Sequence, residues 1–203
     1  MTQRVILATG NESKVKEIRA IFDGLDLELL PQTAFGLESP EETGETFAEN
    51  ALQKAVFAAN QLGVPAIADD SGIAIDALNG RPGVRSARYA GQDSTDDQNV
   101  DRLLYELRHV PYENRAACFH CAAVFVRSGD DKRAVIAEGI WRGTILRERR
   151  GIGGFGYDPV FYDIASMKTG AEMSREEKNI VSHRGKAFKK LRDLIMGDAT
   201  DWI

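Results

Sequence analysis

The amino-acid sequence predicts an α/β protein, and three of its segments carry that prediction. Residues 4–8 form a nearly continuous apolar run, as expected for a strand buried on both faces, and a helical pattern follows at once. Residues 46–63 have the spacing of a long helix, and residues 116–126 and 134–141 have the pattern of two paired strands. Strands that alternate with helices in this way are typical of α/β folds.

The composition of the 203-residue chain disfavours several classes of protein. It is 43% hydrophobic and 28% charged and has no repeat or linker, so we interpret residues 1–203 as one domain. A formal net charge of -5 disfavours nucleic acid as a partner. Because there is no long apolar stretch and no signal-peptide pattern, we expect no membrane association and a cytoplasmic location.

The first strand ends at the glycine turn Thr9-Gly10-Asn11, and a helix is predicted over residues 14–22. Backbone amides at such a turn, the dipole of the helix and the charge of Lys14 all suit a phosphate group. Many α/β proteins have this arrangement for packing alone, and both interpretations stay open at this point.

A strand over residues 27–30 leads into an acidic loop that contains Glu38, Glu41, Glu42 and Glu45. Such a cluster is usually solvated surface, but one of its glutamates could supply a metal ligand opposite Asp70. The loop therefore has two interpretations.

The long helix has clear start and stop signals. Thr46 and Glu49 have the spacing of a capping box, and Gly63 ends the apolar stripe. Lys54 lies at the edge of this stripe, where it either extends along the apolar surface or contacts a phosphate.

Residues 66–76 are predicted as strand, bend and strand, with the bend at Asp69-Asp70-Ser71-Gly72. Adjacent carboxylates repel each other and are costly at the end of a buried strand unless a cation, donors or a proton compensates them. Mg²⁺ takes oxygen ligands, usually one or two carboxylates and substrate phosphates. The bend is thus either half of a metal site or a solvated turn.

The middle of the chain carries mainly structural patterns. We predict extended structure over residues 86–90, a helix capped by Ser94 or Thr95, and an antiparallel hairpin whose turn spans residues 128–132. Cys118 and Cys121 fall on opposite faces of one strand, which favours a buried structural role over a shared metal.

Two segments near the C-terminus are poorly explained by folding alone. Residues 152–161 combine glycines with aromatic residues, which either fill the core or stack on a ligand that the backbone approaches closely. Ser182 is the predicted N-cap of the last helix, so His183 and Arg184 lie in its first turn, where the helix dipole disfavours positive charge. A bound anion or base would remove that conflict.

Taken together in this order, the motifs resemble those of the inosine/xanthosine triphosphate pyrophosphatases, a family of non-canonical purine NTP pyrophosphatases. The resemblance covers essentially the whole chain. The motifs are Thr9-Gly10-Asn11 with Lys14, the Glu-Thr-Gly and Phe-x-Glu-Asn-Ala stretches of residues 42–51, residues 68–72, Pro82-Gly83 with residues 86–89, residues 154–159 and residues 182–185.

This resemblance implies a fold, a reaction and partners. It implies a long mixed β-sheet with two lobes that flank an active-site cleft, and a homodimer. It implies hydrolysis of ITP, dITP and XTP, in preference to the normal purine nucleotides, to the monophosphate and pyrophosphate, with Mg²⁺ as cofactor. Such an activity would keep deaminated purines out of DNA and RNA.

The resemblance also implies roles for individual residues. Glu41 and Asp70 would hold the metal, and Asp70 would accept the proton of the attacking water. The triphosphate would be bound by Thr9, Gly10, Asn11, Glu12, Ser13 and Lys14, assisted by Lys54. Further substrate contacts would come from Ser71 and, around the base, from Phe155, Gly156, Tyr157, Asp158, Lys178, His183 and Arg184.

Several alternatives stay open. One of Asp69 and Asp70 could hold the metal while the other orients water, and either Glu41 or Glu42 could face the metal. Alternative functions are a pyrophosphatase for another modified NTP, a non-catalytic nucleotide-binding regulator and, least favoured by the acidity of the chain, a single-strand nucleic-acid binder.

Overall fold

The computed structural model describes residues 2–127 and 133–197. The chain divides into two compact units. Among the described residues, unit 1 comprises residues 2–70, 121–127, 133–139 and 183–197, and unit 2 comprises residues 71–120 and 140–182.

The β-strands of the described residues form a mixed sheet. They are β1 (Gln3–Leu7), β2 (Leu27–Pro31), β3 (Ala66–Ile75), β4 (Ala116–Val126), β5 (Val135–Ile145), β6 (Phe161–Asp163) and β7 (Lys168–Thr169). Their order is β2-β1-β3-β4-β5-β6-β7. β1 pairs in parallel with β2 and β3, whereas β6 pairs antiparallel with β5 and β7. The predicted α/β class and mixed sheet are confirmed.

The α-helices of the described residues are α1 (Glu12–Ile21), α2 (Phe47–Leu62), α3 (Asp96–Glu106), α4 (Arg175–Val181) and α5 (His183–Gly197). The predicted capping box of α2 is present, and Gly63 ends that helix in the left-handed conformation. Thr95 is the N-cap of α3. Helix α4 was not predicted, because it is too short for apolar periodicity to reveal and its main signal is a capping box.

The described residues of unit 1 form two apolar clusters. One packs α1 and α5 against the strands and includes Leu7, Ile18, Ile67, Phe188 and Leu191. The other packs α2 against the strands through the small side chains of Ala51, Ala55, Ala58 and Ala59, together with Ile6, Ala66, Ala68 and Val124. Alternate residues of β3 thus enter different clusters, because side chains alternate along a strand.

Unit 2 has its own apolar core. Ile73 of β3, Leu103 of α3 and the aromatic side chains of Phe119, Trp141 and Phe161 meet there. The aromatic rings lie 4.6 to 6.0 Å apart between centroids. This core accounts for the apolar patterns of the middle of the chain.

Three local predictions need correction or limits. β3 is continuous from Ala66 to Ile75, with no bend at Asp69 and Asp70, because partners for these carboxylates are present on both sides of the strand. Residues 86–90 are not extended, since a 3-10 helix covers Gly83–Arg88. The predicted turn at residues 128–132 lies outside the described residues.

The remaining expectations concern cysteine and the membrane. Cys118 is half-buried and Cys121 is buried, and both are free thiols. In the part of the chain that the structure describes, no helix is both long enough and apolar enough to span a membrane.

Candidate active site

Asp69 and Asp70 are neighbours in β3, and their side chains point to opposite faces of the strand. Both are buried, with 1% and 6% of their surface exposed. They therefore belong to two different groups of polar side chains. We call these groups the Asp69 cluster, made of Lys14, Glu17, Asp69 and Arg184, and the Asp70 cluster, made of Glu42, Asn50, Lys54 and Asp70.

The Asp69 cluster is a chain of alternating charges. Asp69 Oδ2 accepts hydrogen bonds from Lys14 Nζ at 3.0 Å and from Arg184 Nε at 3.3 Å. Arg184 Nη1 donates in turn to Glu17 Oε2 at 2.8 Å. An anion or base was the predicted compensation for Arg184 in the first turn of α5; two buried carboxylates of the chain itself, Asp69 and Glu17, take that place.

The charges of this cluster compensate one another. Burial alone would raise the pKa of Asp69, but Lys14 and Arg184, with a smaller effect of Lys54, hold it well below its usual value. Burial likewise acts to lower the pKa of Arg184, and Asp69 and Glu17 outweigh it and raise that pKa. Asp69 is therefore a stable anion and a poor proton acceptor at neutral pH.

The Asp70 cluster lies on the side of β3 that faces α2. Lys54 Nζ donates to Glu42 Oε1 at 2.7 Å and to Asp70 Oδ1 at 3.3 Å. Asn50 Nδ2 donates to Asp70 Oδ2 at 3.1 Å. Asn50 and Lys54 are one helical turn apart, which lets both reach the same carboxylate. The acidic residue brought beside Asp70 is Glu42, whereas Glu41 is exposed.

Asp70 differs from Asp69 in the direction of its pKa shift. Burial raises the pKa of Asp70, the negative charge of Glu42 raises it further, and Lys54 and Lys14 only partly oppose this rise. Burial acts to lower the pKa of Lys54, but Asp70, Asp69 and Glu42 outweigh it, so the ammonium stays charged. A carboxylate with a raised pKa is the better general base of the two, because its proton affinity lies closer to that required at neutral pH.

The Asp70 cluster also fits a divalent cation. Its carboxylates from Glu42 and Asp70 converge on one ammonium and are the hard oxygen donors that Mg²⁺ prefers. Within residues 2–127 and 133–197, no group of three or more His, Cys, Asp or Glu side chains is placed to hold a metal ion. Two carboxylates are nevertheless the usual protein contribution where substrate phosphates and water complete the coordination of Mg²⁺.

The glycine turn before α1 has the geometry expected of an anion site. Asn11 is the N-cap, and its side chain accepts a hydrogen bond from Lys14 N at 3.1 Å. Thr9 Oγ1 accepts from Asn11 N at 3.2 Å, which closes the turn. Since the first amides of a helix have no partner within the helix, those of Glu12 and Ser13 remain for a ligand or water. Gly10, Glu12 and Ser13 are exposed.

In unit 2, Asp158 and Lys178 form a buried ion pair. Lys178 Nζ donates to Asp158 Oδ2 at 2.5 Å, and this oxygen also accepts from Phe155 N at 2.9 Å. The ammonium lies 4.6 Å from the centroid of the Phe155 ring. Gly154 has φ +72°, and a Cβ there would overlap Asp158. Gly154 thus allows the backbone of this loop to approach the Asp158 side chain closely.

The other predicted substrate contacts of unit 2 are placed differently. Tyr157 is buried in the apolar core, and its hydroxyl donates to Ser86 O at 2.8 Å, so its main observed role is packing. The amide of Gly156 donates to Asp96 Oδ2 at 2.7 Å. Ser71 is half-buried. In unit 1, His183 is buried at the start of α5.

Two members of these clusters, Glu17 and Asn50, were not predicted from the sequence. Glu17 lies one turn after Lys14 in a helix, where a glutamate is ordinary surface unless its partner is known. Asn50 was part of the Phe-x-Glu-Asn-Ala motif but received no role. Its spacing of four residues from Lys54 was the available signal.

The fold and these clusters define the class of protein: an α/β protein with a mixed sheet and two carboxylate–cation clusters around strand β3. The model of the Ham1 family matches residues 5–194. The chain therefore belongs to the Ham1 family.

The alignments with similar named proteins and solved structures cover almost the whole chain. A protein of Salmonella typhi named dITP/XTP pyrophosphatase is 50% identical over 193 residues, which cover 95% of this chain and 98% of that protein. A HAM1 protein structure from Coxiella burnetii has a TM-score of 0.88 at 43% identity and covers 96% of this chain and 99% of that one. A structure from Mycobacterium abscessus, described as a nucleoside-triphosphatase and dITP/XTP pyrophosphatase, has a TM-score of 0.73 at 39% identity, with coverages of 93% and 98%.

Proposed function

We propose that this protein hydrolyses the non-canonical purine nucleoside triphosphates ITP, dITP and XTP to the monophosphate and pyrophosphate. The observation that carries the proposal is the buried Asp70 carboxylate, held by Asn50 and Lys54 beside Glu42. The 50% identity to a protein named dITP/XTP pyrophosphatase supports the substrate class. The whole chain would form one catalytic domain.

In this proposal Asp70 is the general base. Water attacks one of the two phosphorus atoms that flank the bridging oxygen between the α and β phosphates. Its oxygen forms the new P–O bond, its proton passes to Asp70, and the bond from that phosphorus to the bridging oxygen breaks. The bridging oxygen leaves on the other phosphate product. The raised pKa of Asp70 suits a proton acceptor, and the ammonium of Lys54 compensates negative charge that develops in the transition state.

Asp70 would also contact a bound Mg²⁺, with Glu42 as the second carboxylate; Glu41, which the family resemblance implied as a ligand, is exposed. When bound, Mg²⁺ supplies charge neutralisation for the phosphates.

The triphosphate would bind at the N-terminus of α1. The open amides of Glu12 and Ser13, the turn formed by Thr9 to Asn11 and the ammonium of Lys14 provide the donors and positive charge that it needs. Asp69 holds Lys14 Nζ at 3.0 Å, which limits the freedom of that side chain before substrate arrives.

The base would be recognised by hydrogen-bond donors and an aromatic ring. Lys178, His183 and Arg184 are the candidate donors for the 6-oxo group of hypoxanthine and xanthine, and Phe155 is the candidate stacking surface. Adenine carries a 6-amino donor, which would leave two donors facing each other. Rejection of guanine, which has a 6-oxo group, requires an unfavourable neighbour for its 2-amino group.

Two further features belong to the proposal. The protein would act as a homodimer, as the family resemblance implies, and sedimentation equilibrium would then give twice the chain mass of 22.4 kDa. It would act in the cytoplasm, where the nucleotide pool is found.

The decisive experiment measures pyrophosphate release from ITP, XTP, GTP and ATP at equal concentration, with Mg²⁺ and with chelator. We expect fast turnover of ITP and XTP alone, lost with chelator. Equal turnover of all four would contradict the base selectivity, and a preference for another modified NTP would redirect the substrate class. Binding of nucleotides without any turnover would favour a non-catalytic regulator.

A further inference from the structure

Asn50, like Lys54, contacts both of the segments that carry the carboxylates of the Asp70 cluster. It is fully buried in α2. Its Nδ2 donates to Asp70 Oδ2 at 3.1 Å, and its Oδ1 accepts a hydrogen bond from Gly44 N at 2.8 Å. Gly44 follows Glu42 by two residues in the loop before α2. The amide therefore links β3 to the loop.

The contact with the loop depends on the absence of a side chain at Gly44. A Cβ at this position would lie 2.7 Å from Asn50 Oδ1, 2.7 Å from Glu49 Cβ and 3.0 Å from Asn50 N. The two distances of 2.7 Å are shorter than real Cβ contacts, so any larger residue would push the loop away from α2. Gly44 thus allows the loop to contact Asn50, and the same loop places Glu42 beside Lys54.

Lys54 and Asn50 make different contributions to this geometry. The lysine attracts both carboxylates, with distances of 2.7 Å to Glu42 and 3.3 Å to Asp70, but its long flexible side chain does not fix their separation. The asparagine amide is planar and carries a donor and an acceptor at a fixed distance from each other. It can therefore set the position of the loop relative to Asp70.

We propose that Asn50 is a positioning residue that sets the separation of the Glu42 and Asp70 carboxylates by donating to Asp70 and accepting from the loop at Gly44. This inference rests on the proposed function, because the separation matters for a general base and a pair of metal ligands. Asn50 acts through Asp70 and Glu42 and does not itself contact substrate.

Three variants test separately the two hydrogen bonds of Asn50, the one that it donates to Asp70 and the one that it accepts from Gly44. Asn50→Leu keeps the approximate size and removes both hydrogen bonds. Asn50→Asp keeps the acceptor for Gly44 and replaces the donor to Asp70 by a carboxylate. Gly44→Ala leaves Asn50 unchanged and displaces the loop. Gln53→Leu is the matched control, because Gln53 lies on the same helix and accepts from Thr43 N of the same loop at 3.3 Å.

Two readouts are needed for each variant. The first is kcat and KM for ITP at saturating Mg²⁺, and the second is Mn²⁺ binding to the substrate-free protein, followed by electron paramagnetic resonance. Changes around metal ligands typically cost about 10- to 100-fold in affinity or activity. We expect losses of this size in kcat and in Mn²⁺ affinity for Asn50→Leu and Gly44→Ala, and a loss of kcat for Asn50→Asp. KM for ITP should change by less than about threefold, since the α1 turn is untouched.

The double variant and the control test whether one contact is responsible. If Asn50 and Gly44 act together, Asn50→Leu combined with Gly44→Ala will cost less than the product of the two single losses. We expect Gln53→Leu to keep wild-type values. If Gln53→Leu lost as much kcat and Mn²⁺ affinity as Asn50→Leu, any hydrogen bond between α2 and the loop would be sufficient, and the proposal would be overturned. Wild-type kcat and Mn²⁺ binding in Gly44→Ala and Asn50→Leu would also overturn it.

The failure of this inference can be told from the failure of the proposed function. If Asn50→Leu does not fold, Gly44→Ala, whose change lies in a half-buried loop, decides between the outcomes. If the wild type releases no pyrophosphate from any nucleotide, the proposed function fails, while the Mn²⁺ titration still reports on the separation of the carboxylates.

Discussion

Two adjacent aspartates of one strand differ in role because their surroundings differ. Asp69 faces two cations that lower its pKa, whereas Asp70 faces one lysine and a further carboxylate, and its pKa is raised. The same side-chain chemistry thus gives a structural anion on one face of β3 and a candidate base on the other. Isosteric substitutions at the two positions should separate these roles.

Asp69→Asn should mainly lower stability. The change leaves Lys14 and Arg184 without their shared carboxylate, and removal of one partner from a buried ion cluster typically costs about 3 to 5 kcal/mol. Urea unfolding at neutral pH measures the loss. A free energy of unfolding equal to that of the wild type would contradict the assignment of Asp69 as a structural anion.

Asp70→Asn should mainly abolish turnover. A general base contributes about 10²- to 10⁴-fold to a rate, so kcat for ITP should fall within or beyond that range. Because ionised Asp70, with its raised pKa, does not itself stabilise the folded state, and because Glu42 remains to pair with Lys54, the stability cost should be smaller than that of Asp69→Asn. Wild-type activity in this variant would remove Asp70 from the mechanism.

Sequence reasoning identified most residues of the two clusters but not their partners. It found Lys14, Lys54, Asp69 and Asp70 from local patterns, and it treated the two aspartates as a bend. Their opposite orientations follow from the continuous strand, which is possible only because cations from α1, α2 and α5 compensate the charges. Those contacts join residues that lie far apart in the chain.

At the scale of elements, β5 and α5 approach each other more closely than a side chain permits. A Cβ at Gly139 would overlap the carbonyl oxygen of His183 and lie 2.6 Å from Ala187 N. This packing sets the position of the first turn of α5, which carries His183 and Arg184.

Gly139→Ala should therefore destabilise the fold and impair the site. Overpacking a well-packed contact typically costs about 1 to 3 kcal/mol, and more where backbone must move. Urea unfolding and kcat/KM for ITP are the measurements. Gly197→Ala is the matched control, since a Cβ at that α5 position meets nothing within 4 Å. Equal stability of the two variants would contradict the close approach.

The sequence predicted elements with local signals and missed those without them. The capped helices α2 and α3 were found because their capping residues and apolar spacing are read directly along the chain. The segment that contains the 3-10 helix Gly83–Arg88 was predicted to be extended. The hydroxyl of its Ser86 accepts a hydrogen bond from Ile73 N at 2.8 Å and donates one to Gly83 O at 2.6 Å. Tertiary contact with β3 fixes that segment.

At the scale of the whole molecule, stability should fall as the pH is lowered. Several carboxyl groups have folded pKa values below their ordinary ones: Asp69, Glu49, Glu106, Glu172 and Glu177. Each contributes stability that is complete above its unfolded pKa of about 4 and is lost as the pH falls through the lowered folded value. The contribution of Asp70 to the pH dependence of stability has the opposite sign, because its pKa is raised in the folded state.

The midpoint of urea unfolding should thus decrease between pH 7 and pH 3, with most of the loss below about pH 4. Asp69→Asn should flatten this dependence, since it removes the group with the deepest burial among those with lowered pKa. An unchanged midpoint in acid would show that these pairs contribute little to folding.

The sequence by itself determined the α/β class, the helix caps, the glycine turn before α1 and the motifs by which the chain resembles its family. These features depend on residues that are neighbours along the chain or follow a helical or strand period. Only the tertiary structure decided that Asp69 and Asp70 serve different clusters, that Glu42 lies beside Lys54, that Arg184 is paired with Glu17, and that Asn50 joins β3 to the acidic loop. Those choices depend on which face of a strand or helix meets which neighbour, and local pattern does not contain that information.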